Sequence, residues 1–500
     1  MKHQLLTTAF LSLLSAKFAY GSPAAACNAL RSALPNSVFF PGSEEYTSDN
    51  RHHAEIASQN STCSVEPETP EDVALILRTV ASGDTRSPFA IKGGGHIANV
   101  GFSSTTGVQI SMLKFNSIEY DEGLGTVKIG AGLVWGEVYL ALAPHGVKVV
   151  GGRGPPVGVA GFLLGGGYSY FTDQYGLAID NIVAHDLVLP NGTFVEVNEQ
   201  TNPDLFFALK GGHNNFGIVT SFTLKTFPQT DVWTALISYP LNASDSFHRA
   251  SESFSFNNTD LKAVALPVYA FSDDIEPGLL ALLFYDGPVP PDGVYNEFFN
   301  VPGAVVNSSG TVSFADALGG GPLLSGPSRH VKTHRFFKRI PNPSFYRSVR
   351  DVVPITRYTV GILDEMKTQF ENILSTAVAN NRTLTFAAIV VEPFIQPNAH
   401  ATDSAYPNPF VCPTALEVQW ADATDDDFFF NLVREVHNTI QARAIEEGQS
   451  TPDAILYNNY VVADTPLELL YGDNLERLRE IKRRVDPDNV MGLAGGFKIE

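Results

Sequence analysis

The sequence predicts an α+β protein of two lobes, and three observations carry that expectation. A chain of 500 residues exceeds what one hydrophobic core organises, because single cores stop growing beyond about 250 to 300 residues. Up to about residue 227 short β-rich runs alternate with glycine-rich turns around one well-marked helix. From there to about residue 455 the glycine motifs thin out, while prolines, aromatics and Asn-x-Ser/Thr triplets accumulate. The expected organisation is a leader over 1–21, a first domain over 22–227, a second over 228–455, and a tail over 456–500 that rejoins the first.

The elements follow in chain order. Lys2 and His3 open the leader, Leu5 to Phe18 supply its apolar stretch, and Ala19-Tyr20-Gly21 gives small residues at a cleavage site, the pattern of a secretory signal rather than of a buried helix. Of three cysteines, Cys27 and Cys63 flank one N-terminal segment and are expected to pair in an oxidising compartment, leaving Cys412 over. Thr69-Pro70-Glu71-Asp72 starts a helix with a hydroxyl cap, a proline at its first position and acids at the positive dipole end. Val73, Ile76, Leu77 and Val80 form its apolar face. Val127 to Gly130, Ile182 to Leu189, Phe194 to Val197 and Ile218 to Leu224 read as strands. Pro190-Asn191-Gly192 joins two of them as a hairpin turn. In the tail, Thr465 to Glu468 reads as a capping box, and Leu475, Leu478, Ile481 and Val485 stripe a helix stopped by Asp486-Pro487.

Composition excludes several functions. A formal charge of −20 argues against nucleic acid. Beyond the leader no apolar run is long enough to span a bilayer, so no membrane association is expected after its removal. Six sequons, at Asn60, Asn191, Asn242, Asn257, Asn307 and Asn381, fit passage through a glycosylating compartment and a secreted product. There is no Walker loop, no Gly-x-Ser-x-Gly elbow and no paired-cysteine metal signature. Gly130-x-Gly132-x-x-x-Gly136 is one residue too long for a dinucleotide fingerprint and lacks the acidic residue that would grip a ribose.

Four glycine clusters remain: Lys92-Gly93-Gly94-Gly95-His96, Gly151-Gly152, Gly161 to Gly167 with its run Gly165-Gly166-Gly167, and Gly211-Gly212 before Asn215-Phe216-Gly217. Such clusters bring bare backbone N–H groups against a ligand and suit a large phosphorylated cofactor. A β-rich fold with many tight turns would show them as well.

Taken together, Lys92 to Gly101, Gly151 to Gly167 and Lys210 to Thr220, the last containing Gly217-Ile218-Val219, resemble the PCMH-type FAD-binding domain of the vanillyl-alcohol-oxidase superfamily. Tyr457-Asn458-Asn459-Tyr460, Tyr471 to Asn474 and Arg477-Leu478 with Asp486-Pro487 resemble its berberine bridge enzyme-like branch, in a secreted fungal-type form. The resemblance implies FAD, a substrate domain with an antiparallel sheet backed by helices, and a bond from His96 to the flavin 8α carbon. A neutral imidazole is a competent nucleophile, and the glycines before it admit the flavin closely. Many relatives carry a second, cysteinyl tether, but here that position is Gly154, in Gly154-Pro155-Pro156-Val157-Gly158-Val159-Ala160-Gly161. A single link through His96 is therefore expected. Val157 falls at the family's oxygen gatekeeper, where valine favours oxidase over dehydrogenase; core packing would also explain it.

For the proton the family needs a base, and Tyr457 is the leading candidate. With Leu456 to Val461 read as a strand, Tyr457 and Asn459 share a face and Tyr460 points away. Tyr457 could instead stack on the flavin. By resemblance of Leu416-Glu417-Val418-Gln419-Trp420 to the family's substrate strand, Gln419 faces and orients the substrate, while Glu417 is read as a polar position on a sheet surface.

The expected function is hydride removal from an alcohol, sugar or natural-product carbon, with reoxidation by O2 to give H2O2. Flavin-dependent cyclisation or dehydrogenation in secondary metabolism, and flavin binding without catalysis, stay open.

Overall fold

The computed structural model describes residues 21–319, 346–396, 398–409 and 411–500, so the leader, Gly21 apart, lies outside the described residues. Ser22 caps the first helix, Pro23–Ala33, whose Cys27 is disulfide-bonded to Cys63 at the start of a strand. The helix Pro70–Ala81 begins as its sequence dictates: the Thr69 hydroxyl accepts from the Asp72 amide, and the Asp72 carboxylate accepts from the Thr69 amide. Its buried face is Val73, Ala74, Ile76, Leu77 and Val80.

Two sheets build the first lobe. A four-stranded sheet runs in the order Val38–Phe39, Cys63–Val65, Val108–Ser111, Phe89–Lys92, with the last three parallel. A five-stranded antiparallel sheet runs Ile118–Asp121, Thr126–Gly130, Ile218–Lys225, Ile182–Val188, Phe194–Asn198. Gly192, at φ +82°, turns the hairpin between the last two, and the Asn191 side chain accepts from the Thr193 amide.

The second lobe is one seven-stranded antiparallel sheet in the order Val305–Val312, Val232–Pro240, Ile275–Tyr285, Ala263–Ser272, Leu384–Val390, Cys412–Trp420, Arg347–Ile355. The helices Ser244–Asn257, Val360–Ala379 and Asp426–Glu446 back it. All six sequon asparagines are exposed. No helix among the described residues is long and apolar enough to cross a membrane.

The tail packs on the first lobe. Asn458 donates to Gly211 O at 3.0 Å, the Ile499 amide to Asn215 Oδ1 at 3.1 Å, and Ala494 bridges to Phe89. The helix Asn474–Val485 buries Leu475, Leu478 and Ile481 and ends at Asp486. Two local expectations fail here. Thr465 forms no capping box: the helix spans Leu467–Tyr471 with Pro466 before it, and the Thr465 hydroxyl donates to Val462 O within its own turn. Residues 456–461 form no strand, because the Tyr460 amide bonds Tyr457 O in a tight turn and no ladder runs beside them.

His185 lies in the strand Ile182–Val188, fully buried between the rings of Phe206 and Phe222, with neither ring nitrogen hydrogen-bonded. Burial, with Lys210 nearby, lowers its pKa to about 3. The unfolded chain therefore binds more protons as pH falls from about 6.5 towards 3, and stability drops across that window, by about 3 kcal/mol at pH 4. His185→Leu is expected to flatten this acid loss in urea unfolding followed from about pH 7 to pH 4. An unchanged pH slope would remove His185 as its source.

Candidate active site

The uncovered face of the large sheet meets the first lobe and the tail around a cavity of about 1040 Å³. Glycine-rich segments line one wall: Gly93, Gly94, Gly95 and His96, then Gly154, Val157, Gly158 and Gly161, then Gly217, Ile218 and Val219. The first two run backbone to backbone, since a Cβ on Gly94 would stand 2.6 Å from the Gly158 backbone. Gly165, Gly166 and Gly167 lie behind the wall, under the tail: a Cβ on Gly165 would meet Asn459 Oδ1 at 2.1 Å, and Gly166 and Gly167 have φ +118° and +97°. Lys92 turns away and donates to the Ser48 and Asp49 carbonyls, capping the end of a helix. Gly101, at φ +79°, packs against Gly495.

His96 is held from behind. The His53 amide donates to Gly95 O at 2.9 Å, and the His53 ring stacks on the His96 ring at 4.1 Å. Tyr346 Oη lies 2.5 Å from His53 Nε2. Burial, then His53 and the Arg350 cation, lowers the His96 pKa well below its ordinary value, so the imidazole is neutral. Its Nδ1 is buried without a partner.

Facing this wall are Tyr457, Asn459, Tyr460, Gln419, Glu417, Arg350, Arg153 and Glu392. Tyr460 does not point away. The turn at 457–460 brings both phenols in, with their rings 4.8 Å apart. Asn459 Nδ2 donates to Tyr457 Oη at 3.0 Å, and burial, with Tyr460 nearby, raises the Tyr457 pKa. Arg153 Nη2 donates to Tyr460 Oη at 2.9 Å and to both Glu392 oxygens at 2.8 and 2.7 Å. Burial and Glu392 push Tyr460 up to about 12, against the pull of Arg153 and Arg350. Burial likewise raises Glu392.

Glu417 is not a sheet-surface position. Arg350 Nε and Nη2 donate to its Oε2 at 3.1 and 2.7 Å, and Gln419 Nε2 donates to its Oε1 at 2.9 Å. Burial favours its neutral form, but Arg350 and these hydrogen bonds outweigh that and hold the carboxyl below its ordinary range. Cys412 is a buried free thiol beside Phe394 O and does not line the cavity.

Residues 61–198 match the family described as FAD binding domain, and residues 456–494 the one described as berberine and berberine like. The FAD-dependent monooxygenase drtC of Aspergillus calidoustus is 32% identical over 493 residues, covering 95% of this chain and 90% of its own. The chain belongs to the berberine bridge enzyme-like family of FAD-linked oxidoreductases. Solved structures share the fold. The carbohydrate oxidase from Microdochium nivale superposes with a TM-score of 0.77 at 19% identity, covering 95% of this chain and 99% of its own. The glucooligosaccharide oxidase from Acremonium strictum, whose FAD is described as 6-S-cysteinyl and 8α-N1-histidyl, superposes at 0.76 with 18% identity, covering 93% and 97%. As in the berberine bridge enzyme-like family, the cavity here suits FAD: one wall is largely glycine backbone, and a neutral histidine leaves a buried ring nitrogen without a partner.

Proposed function

We propose that this enzyme is a secreted oxidase that holds FAD through His96 alone, removes a hydride from a small-molecule carbon bearing oxygen, and gives the electrons to O2 as H2O2. What carries the reading is one cavity shared by His96, with its unpartnered Nδ1, and by Tyr460 paired to Arg153. FAD supplies there a hydride acceptor that O2 reoxidises. The neutral His96 keeps the lone pair that a covalent bond needs, and Gly154 offers no thiol for a second one. Tyr460 takes the substrate proton, with the Arg153 hydrogen bond at its oxygen offsetting part of the burial and Glu392 charge that keep the phenol protonated. Tyr457, fixed by Asn459, stands beside it, and Gln419 orients the substrate. Val157 on the cavity wall supports O2 as acceptor through the family resemblance. The leader, the disulfide and the exposed sequons support secretion.

Peroxide counted against substrate consumed is expected to be one to one. Oxygen insertion, the chemistry in the name of the Aspergillus relative, or redox-neutral ring closure would release none and would sink the oxidase reading. Tyr460→Phe is expected to lower kcat by about 10² to 10⁴ without loss of bound flavin, and Tyr457→Phe by less. The reverse order would return the base to Tyr457.

A further inference from the structure

We propose that the substrate is an uncharged molecule with a largely apolar body and one oxygen function, and not a saccharide; this rests on the active-site reading above. The strand register maps the sheet face that looks into the cavity. Leu280, Val268, Val390 and Ala415 stand side by side in one row across four strands. In the next row Ala270, Ala388, Glu417 and Arg350 are neighbours, followed by Ser272, Phe386 and Gln419. Leu266 and Leu282 extend the apolar part. The floor is therefore divided: an apolar area over three strands, and a polar strip of Gln419, Glu417 and Arg350 on the last two.

Val268, Ala270 and Ala388, with Leu280, Phe386 and Val390, form a hydrophobic cluster separate from the main core, so the cavity is what they face. The alanines keep the middle of this floor low. The strand amides and carbonyls beneath are committed to the ladder, and Ser272, Thr385 and Gln419 stand to one side of the apolar area. A row of sugar hydroxyls laid across that area would therefore lack partners, and buried hydroxyls without partners weaken binding.

Charge narrows the class further. Arg350 is engaged by Glu417, and Arg153 by Glu392, so each cation in the cavity already faces its own carboxylate. An ionised substrate would find no unmatched counter-charge inside. Asp273 and Asp274 stand at the mouth and are exposed, where water and salt screen them. One oxygen can be received by Tyr457, Tyr460 and Gln419.

The test is anaerobic titration of the flavin-loaded enzyme near neutral pH with naphthylmethanol, naphthoate, naphthylmethylamine and cellobiose, followed by the visible flavin spectrum. Naphthylmethanol is expected to bind about tenfold or more tightly than each of the others. Ala388→Leu, which raises the floor, is expected to weaken it by about tenfold with covalent flavin retained. Failure of naphthylmethanol to outbind cellobiose and both ions overturns the proposal, as does an Ala388→Leu enzyme that keeps its flavin and its full affinity. The two readings fail separately: tight naphthylmethanol binding without peroxide from any bound substrate removes the oxidase and spares the substrate class, whereas peroxide from tightly bound cellobiose does the opposite.

Discussion

His96→Ala is expected to reduce flavin that survives acid precipitation from near one per chain to none. In the proposed link the imidazole is the nucleophile, on a wall of glycine backbone with Val157, Ile218 and Val219; Cys412 is off the cavity, and no thiol stands at Gly154. Loss of the link should leave reversibly bound FAD, because the glycine loops that receive it are untouched. Adding Gly154→Cys to His96→Ala should restore part of the acid-stable flavin. A Cβ at 154 meets Val157 Cγ2 at 3.1 Å and nothing else within 4 Å, so the thiol fits with a small shift of that valine. Flavin that stays bound through acid in His96→Ala alone would place the tether on another residue.

Glu392→Leu is expected to destabilise the fold by about 3 to 5 kcal/mol, since it leaves the Arg153 cation buried without its carboxylate. The double variant Arg153→Leu, Glu392→Leu should recover most of that, because two apolar side chains replace the pair and no charge is stranded. Urea midpoints at constant m provide the comparison. A single variant that costs less than about 1 kcal/mol would mean that water reaches Arg153 and solvates it. The pair joins three stretches of chain, the first lobe at Arg153, the second at Glu392 and the tail at Tyr460, so its loss should also loosen the cavity.

Local signals in the sequence were readable wherever the chain determines its own conformation. Thr69, Pro70 and Asp72 specify a helix start, and Asn191-Gly192 a hairpin, through contacts a few residues apart. His96 and the glycine clusters were readable because their backbone requirements are written in consecutive residues. The sequence could not show what depends on distant partners. Period-two alternation gives the wrong direction for Tyr460, because a turn, fixed partly by Asn458 on Gly211, sets the side chains there. Glu417 looked like a surface residue until Arg350, 67 positions away in sequence, was beside it. His53, Tyr346, Arg153 and Glu392 carry no motif of their own. Arg153, set inside the Gly151-Gly152-Arg153-Gly154 run, had the one available cue: a long cation among residues chosen for their lack of side chain.

The placement of the tail also bears on how the enzyme is made. Tyr457, Asn459, Tyr460, Val461, Gly496 and Phe497 line the cavity, and they are synthesised after both lobes. Domains fold from the N-terminus during synthesis, so His96 and its glycine loops exist in a nascent chain that still lacks the opposite wall. The cavity has both walls only once residues 457–497 have packed on the first lobe.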